Sequence, residues 1–219
     1  MATVLVTGCN RGIGLELCRQ YLARGDDVIG VCRNSNAELI DLGIRVIDGV
    51  DVSTDDGVAR MTTALADVAI DVVINNAGIL RSDTLDTIDF DAMLEQYRIN
   101  TIGPLRVILA LRNNLGKGAK FGIVSSRVGS IEDNSSGNNY GYRCSKAAAN
   151  MVGMNLRHDL AAEGVAVALL HPGLVATDMT GGRGVTTEKS ARGLIARMDE
   201  LTMETSGSFW HAEGYTLPW

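Results

Sequence analysis

The sequence predicts an α/β fold in which a doubly wound parallel sheet is covered by helices on both faces. Short apolar segments rich in β-branched residues alternate with longer segments of helical spacing along the whole chain. The apolar segments are continuous, which is typical of parallel strands buried on both sides. At 219 residues the chain suits one large domain, and no repeat, linker or low-complexity segment divides it. We therefore expect a single three-layer α/β/α domain over residues 1–219.

Each predicted element is bounded by a turn or a capping signal. The predicted strands are, in chain order, Thr3–Thr7, Asp27–Cys32, Ile44–Val50, Ile70–Ile74, Phe121–Ser125, Val165–Leu170 and Ser208–His211. The predicted helices are Leu15–Arg24, one capped by Thr54 that runs to Ala66, Asp89–Leu115, one that carries Lys146 and runs to Glu163, and one within Glu188–Leu201. Right-handed crossovers place the carboxyl ends of parallel strands along one edge. The loops that follow several strands should therefore meet there as one site.

A glycine-rich turn joins the first predicted strand to the first helix, with glycines at Gly8, Gly12 and Gly14. This order of strand, turn and helix lets backbone N–H groups face a pyrophosphate at the N-terminus of the helix. The glycine spacing alone is weak evidence, but its place between a strand and a helix favours a dinucleotide site.

A tyrosine and a lysine four residues apart, Tyr142 and Lys146, stand at the start of an alanine-rich helical segment. Side chains with this spacing lie on one face of a helix, one turn apart. An ammonium beside a phenol favours the phenolate, so we expect the pKa of Tyr142 to fall from about 10 toward neutrality, as a proton donor requires. Tyr140 competes for the role, but its six-residue separation from Lys146 places it well off the face of the lysine.

A proline within the predicted helix Asp89–Leu115 changes its hydrogen bonding. Pro104 has no N–H, so the bond that it would donate to the carbonyl of Asn100 is missing. The carbonyl of Asn100 is then free to hold a water in a proton relay. The alternative is that Gly103 and Pro104 only kink the helix.

Composition and charge argue against several classes of function. The net charge is −6 and no basic run is present, so nucleic acid and anionic membranes are unsuitable partners. No apolar segment approaches the ~20 residues of a membrane-spanning helix. The four cysteines are scattered without a C-x-x-C pair, which favours a reducing compartment, the cytoplasm, over disulfides or zinc. No cluster of His, Cys and carboxylate residues has metal-ligand spacing, so we expect no metal.

Taken together, the motifs resemble the short-chain dehydrogenase/reductase family. They are Thr7 to Gly14, Asp51-Val52, Asn75-Asn76-Ala77-Gly78, Asn100, Ser125-Ser126, Tyr142-x-x-x-Lys146, and Pro172-Gly173 with Thr177. The ending, Phe209 to Trp219, is similar to the carbonyl-reductase branch that includes sniffer and the bacterial C-factor. The resemblance implies a Rossmann fold and hydride transfer between a nicotinamide and a carbonyl or alcohol.

The resemblance also implies roles for four catalytic residues. Tyr142 would give a proton to the carbonyl oxygen, while Lys146 would lower the pKa of Tyr142 and hold the nicotinamide ribose. Ser126 would hydrogen-bond the substrate oxygen and stabilise charge as it develops. Asn100 would keep a water in the proton relay.

The spacing before the tyrosine departs from the family pattern. Sixteen positions separate Ser126 from Tyr142, a few more than is usual, and the extra residues are expected within 131–139. It is therefore open whether Ser126 or Ser125 points at the substrate. We prefer Ser126, the second of the pair, with Ser130 as a third choice.

A larger set would bind the cofactor. It comprises Gly8, Asn10, Arg11, Gly12, Ile13, Gly14, Arg33, Asp51, Val52, Asn76, Ala77, Gly78, Tyr142, Lys146, Pro172, Gly173, Val175 and Thr177. Relatives that bind NAD carry an acidic residue at the end of the second strand to bond the ribose 2′-hydroxyl. Here Cys32 stands there, followed by Arg33. Arg33 and Arg11 near one spot suit a 2′-phosphate, so NADP(H) is favoured over NAD(H).

The expected substrate is a small to medium ketone, aldehyde or ketoacyl compound, bound by the loops after the fourth to sixth strands and by residues 178–187. That last segment holds Gly181, Gly182 and Gly184, and glycine costs the most backbone entropy to order. We therefore expect a mobile segment and an open pocket, with Met179 and Val185 as the lid contacts. The competing hypothesis is a dinucleotide sensor or signalling protein on the same fold.

The resemblance finally implies a homodimer that the two long helices form. These helices carry apolar residues around much of their circumference, among them Ile102, Leu105, Ile108, Leu109, Met151 and Met154. One face of a sheet cannot obviously bury all of them. A symmetric dimer is therefore expected.

Overall fold

A computed structural model describes the whole chain, Met1–Trp219. Its centre is a seven-stranded sheet in the order β3-β2-β1-β4-β5-β6-β7, in which every neighbouring pair is parallel. The strands are β1 (Thr3–Thr7), β2 (Asp27–Val31), β3 (Arg45–Ile47), β4 (Ile70–Asn75), β5 (Leu115–Val124), β6 (Ala166–His171) and β7 (Ser208–His211). The strand order runs outward in both directions from β1 and β4, and ligands bind at such a switch point. The predicted doubly wound fold is confirmed.

Helices cover both faces of this sheet. They are α1 (Gly12–Ala23), α2 (Ala37–Ile40), α3 (Asp55–Ala64), α4 (Phe90–Tyr97), α5 (Gly103–Leu111), α6 (Tyr140–Asp159) and α7 (Thr187–Glu200). On one face, apolar residues of α1 and α7 pack against the sheet. On the other, residues of α3, α5 and α6 form a second core with it. None of the helices combines the length and the apolarity needed to cross a membrane.

The long helix predicted within Asp89–Leu115 is present as contiguous helical turns from Phe90 to Leu111, but it is not α-helical throughout. A π-helical turn, Arg98–Ile102, separates α4 from α5, and the N–H of Gly103 bonds the carbonyl of Arg98. Pro104 follows directly and has no N–H to continue the ordinary pattern. The helix ends early because Leu115 already belongs to β5, which begins six residues before the predicted start at Phe121.

One further helix and one strand boundary also differ from the prediction. The short helix α2 was not predicted; the Asn36 side chain caps it by accepting a hydrogen bond from the N–H of Leu39 at 3.0 Å. The third strand is shorter than the predicted Ile44–Val50, because only Arg45–Ile47 pairs with β2. Sequence patterns locate elements better than they locate the ends of elements.

The apolar residues of the long helices divide between core and surface. Ile108 is 2% exposed and belongs to the core, so it is not available to a dimer interface. Leu109 and Met151 are exposed, and Phe90 and Leu94 of α4 join them at the surface. An apolar surface therefore remains on these helices after the sheet has been covered.

Candidate active site

A cavity of about 630 Å³ lies along the edge where the central strands end. Most of the residues predicted for cofactor and catalysis line it: Gly8, Asn10, Arg11, Gly12, Ile13, Arg33, Asp51, Val52, Asn76, Ala77, Gly78, Tyr142, Lys146, Pro172 and Thr177. Five do not line it, namely Gly14, Asn100, Ser126, Gly173 and Val175. The fold thus brings motifs from most of the chain to one cleft.

The glycine turn is packed too closely for side chains. A Cβ on Gly8 would lie 2.8 Å from the Cα of Ala77, and one on Gly14 would lie 2.2 Å from the carbonyl oxygen of Gly8. Gly8 also has φ +65°, in the left-handed region. The Asn76 amide donates to the carbonyls of Thr7 and Gly8 at 3.1 and 3.0 Å. The turn after β1 is therefore fixed against the loop after β4.

The N-terminus of α1 opens into this cavity. Arg11 is its N-cap residue but makes no capping hydrogen bond, and the first turn holds no acidic side chain. The first N–H groups of a helix lack partners within the helix, and the helix dipole favours an anion there. The glycine turn and this helix end therefore fit the pyrophosphate of a dinucleotide.

Two arginines line the end of the cavity beside β2, and each is paired with a carboxylate. Arg33 lies 3.8 Å from the carboxylate of Asp51, and Arg11 lies 2.9 Å from that of Asp178. Cys32 is a buried thiol. Its pKa is raised by a hydrogen bond with Cys9, by burial and by the charge of Asp48. The residue that is acidic in NAD-binding relatives is therefore a neutral thiol here; the carboxylate of Asp48 lies 3.8 Å from its sulfur, and Arg33 and Arg11 line the same cavity.

The helix that carries Tyr142 is held at its N-terminus by another segment. Asn139 precedes α6 in the left-handed region, at φ 51°, and makes no side-chain cap. The carboxylate of Asp83 accepts hydrogen bonds from the N–H groups of Tyr140 and Gly141 at 2.6 and 3.1 Å. A carboxylate at a helix N-terminus is stabilised by the dipole. Asp83, which sequence patterns did not reveal, thus fixes the turn that bears Tyr142.

The pKa values at the centre of the site follow burial. Burial raises the pKa of Tyr142 to about 12, and the neighbouring Ser126 hydroxyl opposes the rise. Burial lowers the pKa of Lys146 to about 8. The Lys146 ammonium donates to the carbonyl of Val124 at 2.8 Å and lies 5.7 Å from the centroid of the Tyr142 ring. The expected fall in the pKa of Tyr142 is therefore wrong for this structure, because desolvation dominates and Lys146 bonds Val124 instead.

Asn100 lies in the π-helical turn, behind the wall of the cavity. Its amide donates to the carbonyl of Ile79 at 2.9 Å and to Ser145 Oγ at 3.0 Å, and its Oδ1 accepts from the N–H of Ile79 at 2.9 Å. A Cβ on Gly78 would lie 3.2 Å from Asn100 Oδ1 and 3.6 Å from Lys146 Nζ. Glycine at this position thus lets Asn100 and Lys146 approach the same point.

The three candidate serines have different surroundings. Ser125 Oγ donates to Asn150 Oδ1 at 2.5 Å, away from the phenol. Ser130 Oγ donates to the carbonyl of Trp219 at 2.9 Å. Ser126 is close enough to Tyr142 to lower the pKa of the phenol, and its Oγ accepts one long hydrogen bond, 3.4 Å, from the N–H of Val128.

Several cavity residues were not predicted as site residues. They are Val31, Cys32, Asn34, Val50, Ile79, Ile99, Val124, Ala176, Asp178 and Met179. Most are apolar neighbours of predicted residues at strand ends, and an apolar side chain in a strand gives no signal that separates a pocket wall from the core. Ser125, the alternative to Ser126, also lines the cavity, whereas Ser126 does not. Met179 was expected only as a lid contact. No group of three or more His, Cys, Asp or Glu side chains is arranged to hold a metal ion.

Comparison with known proteins identifies the family. Residues 2–187 match the model of the short chain dehydrogenase family, so the chain belongs to this family of oxidoreductases. The 1-hydroxy-2-glutathionyl-2-methyl-3-butene dehydrogenase of Rhodococcus sp. (strain AD45) is 49% identical over 226 residues, which cover 100% of both chains. The C-signal of Myxococcus xanthus is 42% identical over 155 residues, or 68% of this chain and 93% of that protein.

Solved structures of carbonyl reductases are similar over the whole chain. Carbonyl reductase Sniffer of D. melanogaster has a TM-score of 0.91 and 29% identity, and covers 100% of both chains. The NADPH-bound carbonyl reductase from chicken fatty liver has a TM-score of 0.88 and 31% identity, and covers 100% of this chain and 99% of its own. The resemblance drawn from the motifs is confirmed.

The buried ammonium of Lys146 should cost stability at neutral pH. Its folded-state pKa of about 8 lies below its ordinary value of 10.5, so the cost is complete below about pH 8, shrinks as pH rises toward 10.5 and then vanishes. Lys146→Met should therefore raise the free energy of unfolding at pH 7 by about 1–3 kcal/mol, allowing for the lost bond to Val124.

Urea unfolding at pH 7 and pH 10 checks this expectation. The gain should be smaller at pH 10, where wild-type Lys146 is neutral in the folded state. Lys117→Met, at an exposed position, is the control and should leave stability nearly unchanged. A Lys146→Met protein that is no more stable than wild type at pH 7 would contradict the argument.

Proposed function

We propose that this protein is an NADP(H)-dependent oxidoreductase that interconverts a carbonyl compound and its alcohol, with Tyr142 as the proton donor to the carbonyl oxygen. One observation carries the proposal. Tyr142 and Lys146 line one end of the cavity, with Ser126 near the phenol, and the glycine turn lines the other. A dinucleotide that spans this cleft would place its reactive ring beside the phenol.

The residues of this chain would act on the substrate oxygen. The bound dinucleotide supplies the hydride. The Ser126 hydroxyl would donate to the carbonyl oxygen and favour the charge that develops on it. Tyr142, whose pKa of about 12 keeps it protonated at neutral pH, would transfer its proton to that oxygen. The Lys146 ammonium would stabilise the phenolate that results.

Asn100 would support the proton relay from its place behind the wall of the cavity. Its side chain is fully engaged with Ile79 and Ser145, which fixes the π-helical turn next to the lysine. Pro104 has no N–H to donate to the Asn100 carbonyl. That carbonyl would accept from a water which returns a proton through Lys146 to Tyr142.

Tyr142→Phe should separate chemistry from cofactor binding. The substitution removes one hydroxyl, so turnover on an accepted carbonyl should fall at least ~10²-fold, while NADPH affinity stays nearly the same. Tyr140→Phe is the matched control, because Tyr140 does not line the cavity. Stopped-flow turnover and fluorescence titration measure the two quantities. A Tyr142→Phe enzyme that keeps more than half of the wild-type kcat would exclude Tyr142 as the donor.

The charges beside β2 support NADP(H) as the cofactor. Arg33 and Arg11 line the cavity, and Cys32 contributes no negative charge there. Both guanidiniums are exposed, so their present carboxylate partners are screened by solvent and easily exchanged for a phosphate. The structurally similar reductase from chicken fatty liver is described as NADPH-bound.

Arg33→Ala should weaken NADPH binding far more than NADH binding. Loss of a charge-assisted hydrogen bond to the 2′-phosphate should cost on the order of 1.5–3 kcal/mol, and NADH has no such phosphate. Arg11→Ala should act in the same direction. Dissociation constants from titration calorimetry measure the effect, with Arg60→Ala outside the cavity as the control. Equal weakening of both cofactors would refute the preference for NADP(H).

The substrate site would be formed by the loops after β4, β5 and β6 together with residues 178–187. The end of this segment is held against the residues that precede it, because Val185 exchanges backbone hydrogen bonds with Leu174 and Ala176 at 2.8 Å each. Met179 lines the cavity and is 47% exposed. A lid with so few side chains leaves much of a small ligand in water, so tolerance should be broad and affinity modest.

Kinetics on ketones of increasing bulk test this expectation, with KM and kcat measured for each. The panel should include a glutathionyl alcohol assayed in the oxidative direction, because a relative of 49% identity is named for such a substrate. Rates should decline gradually with bulk, with KM well above the micromolar range. A sharp cutoff at one small size together with micromolar KM would show a closed, selective pocket.

A second candidate function is signalling. It is favoured by the C-signal of Myxococcus xanthus, whose sequence is 42% identical to 68% of this chain. The tyrosine and lysine that chemistry requires are both present here, which favours the enzyme. NADPH oxidation against the carbonyl panel discriminates between the two, because a sensor would bind the dinucleotide without turnover.

We propose that the protein works in the cytoplasm. All four cysteines are free, and Cys9, Cys18 and Cys32 are buried. Unpaired thiols suit a reducing compartment, where glutathione and thioredoxin systems keep them reduced.

We propose a symmetric homodimer through α4, α5 and α6. Phe90, Leu94 and Tyr97 form an exposed stripe at helical spacing on α4, and Leu109 and Met151 are exposed on the neighbouring helices. Self-complementary apolar surfaces of this kind form two-fold interfaces.

Sedimentation equilibrium at tens of micromolar should give a dimer. Glutamate at positions 94 and 151 together should give a monomer, because charge would be buried at the interface. Met203→Glu, at an exposed residue away from these helices, should remain dimeric. A monomeric wild-type protein at that concentration would refute the dimer.

A further inference from the structure

A short hydrogen bond joins β5 to α6 beneath the site. Ser125 Oγ donates to Asn150 Oδ1 at 2.5 Å, and the two residues are 2% and 4% exposed. The N–H of Ser125 donates to the carbonyl of Leu170 at 2.7 Å. Ser125, the first residue after β5, is thus held by its side chain to α6 and by its backbone to β6.

Both ends of this bond adjoin groups of the proposed reaction. Asn150 follows Lys146 by four positions and Tyr142 by eight, so the three side chains lie on one face of α6. Ser125 directly precedes Ser126. The bond therefore connects the helix face that bears the phenol to the strand end that bears the serine beside it.

Ser126 has few contacts of its own to fix its hydroxyl. Its Oγ has only the long hydrogen bond from the N–H of Val128, at 3.4 Å. Its backbone is extended, at φ −150° and ψ 145°, and its carbonyl accepts a hydrogen bond from the N–H of Gly129 at 2.9 Å, which holds the residue on its C-terminal side only. The orientation of Ser126 then depends on how firmly the preceding residue is held.

The Asn150 side chain is costly as a core residue. Its Nδ2 is buried and has no hydrogen-bond partner, and the same holds for Oδ1 of Asn75. A leucine of similar size would avoid a buried amide with one unsatisfied end. The Asn150 side chain is therefore better explained by its hydrogen bond with Ser125 than by a contribution to stability.

We propose that Ser125 and Asn150 form a brace that positions the Ser126 hydroxyl against the Tyr142 phenol. Both are positioning residues: they act on the reaction through Ser126. This inference rests on the proposed function for its effect on turnover, but not for its effect on the contact between Ser126 and Tyr142.

The contact can be observed without turnover by NMR. In protein labelled at the tyrosine carbon that bears the hydroxyl, the signal of Tyr142 is the one of five that is missing in Tyr142→Phe. Ser126→Ala should move this signal, since the hydroxyl that lowers the pKa of the phenol is lost. Ser125→Ala and Asn150→Leu should move it in the same direction. Ser206→Ala, which removes a buried hydroxyl bonded to the backbone of β6, should not.

Kinetics then test whether the brace acts through Ser126. Ser125→Ala should lower kcat about tenfold, as expected for a misplaced catalytic group, and should change NADPH affinity less than twofold. In an enzyme that already carries Ser126→Ala, the same substitution should change kcat by less than twofold. A tenfold loss in both backgrounds would show that Ser125 acts independently of Ser126 and would overturn the proposal.

A double variant separates positioning from stability. Asn150→Leu strands the buried Ser125 hydroxyl and should lower the melting temperature, whereas Ser125→Ala with Asn150→Leu leaves no unpaired hydroxyl and should restore most of it. kcat should stay about tenfold low in the double variant. Recovery of kcat together with the melting temperature would reduce the brace to a structural contact.

Ser125→Ala removes a single oxygen atom and carries the test if the leucine variant does not fold. If the Tyr142 signal does not move in Ser125→Ala, the brace is refuted, whether or not the enzyme turns over a substrate. If the wild-type protein reduces no carbonyl but the Tyr142 signal moves in the variants as described, the proposed function is refuted and the brace is still supported.

Discussion

Parallel strands that end at one edge bring backbone segments together there, and one close approach is that of the turn after β1 to the loop after β4. A Cβ on Gly8 would lie 2.8 Å from the Ala77 backbone, and Asn76 bonds the carbonyls of Thr7 and Gly8 across the same gap. Side chains are excluded, so N–H groups and the open end of α1 form the floor of the cleft. The cavity and the proposed path of the cofactor both depend on this contact.

At the other end of the cleft, polar groups are buried at a cost to the fold. Lys146 is 4% exposed and its charge is desolvated. Asn100 stands in a π-helical turn, a feature often associated with functional sites. Hydrogen bonds from Asn100 to Ser145, and from Thr101 to the carbonyl of Ser145, tie α6 to that turn. Such groups lower stability, and their clustering beside Tyr142 is what a site for proton transfer requires.

Sequence predicted what local chemistry encodes and missed what tertiary contacts decide. The glycines of the turn and the spacing of Tyr142 and Lys146 follow local rules, so the fold and most of the cleft could be predicted. The pKa of Tyr142 depends on burial and on where Lys146 finds an acceptor, and neither can be read from spacing. Asp83 and Asn150 look like ordinary loop and helix residues until the fold sets them beside α6 and β5.

The arginines at the β2 end of the cleft are held in place before a cofactor binds. Under the proposed function, Arg33 and Arg11 would meet a 2′-phosphate, and at present each lies near a carboxylate, Asp51 and Asp178. Exposed pairs of this kind contribute little stability, so exchanging a carboxylate for a phosphate costs little. The pairs still keep both guanidiniums at the cavity wall, which lowers the entropy lost when they bind. Because Asp178 belongs to the segment that would cover the substrate, its exchange at Arg11 would link cofactor binding to the position of that lid.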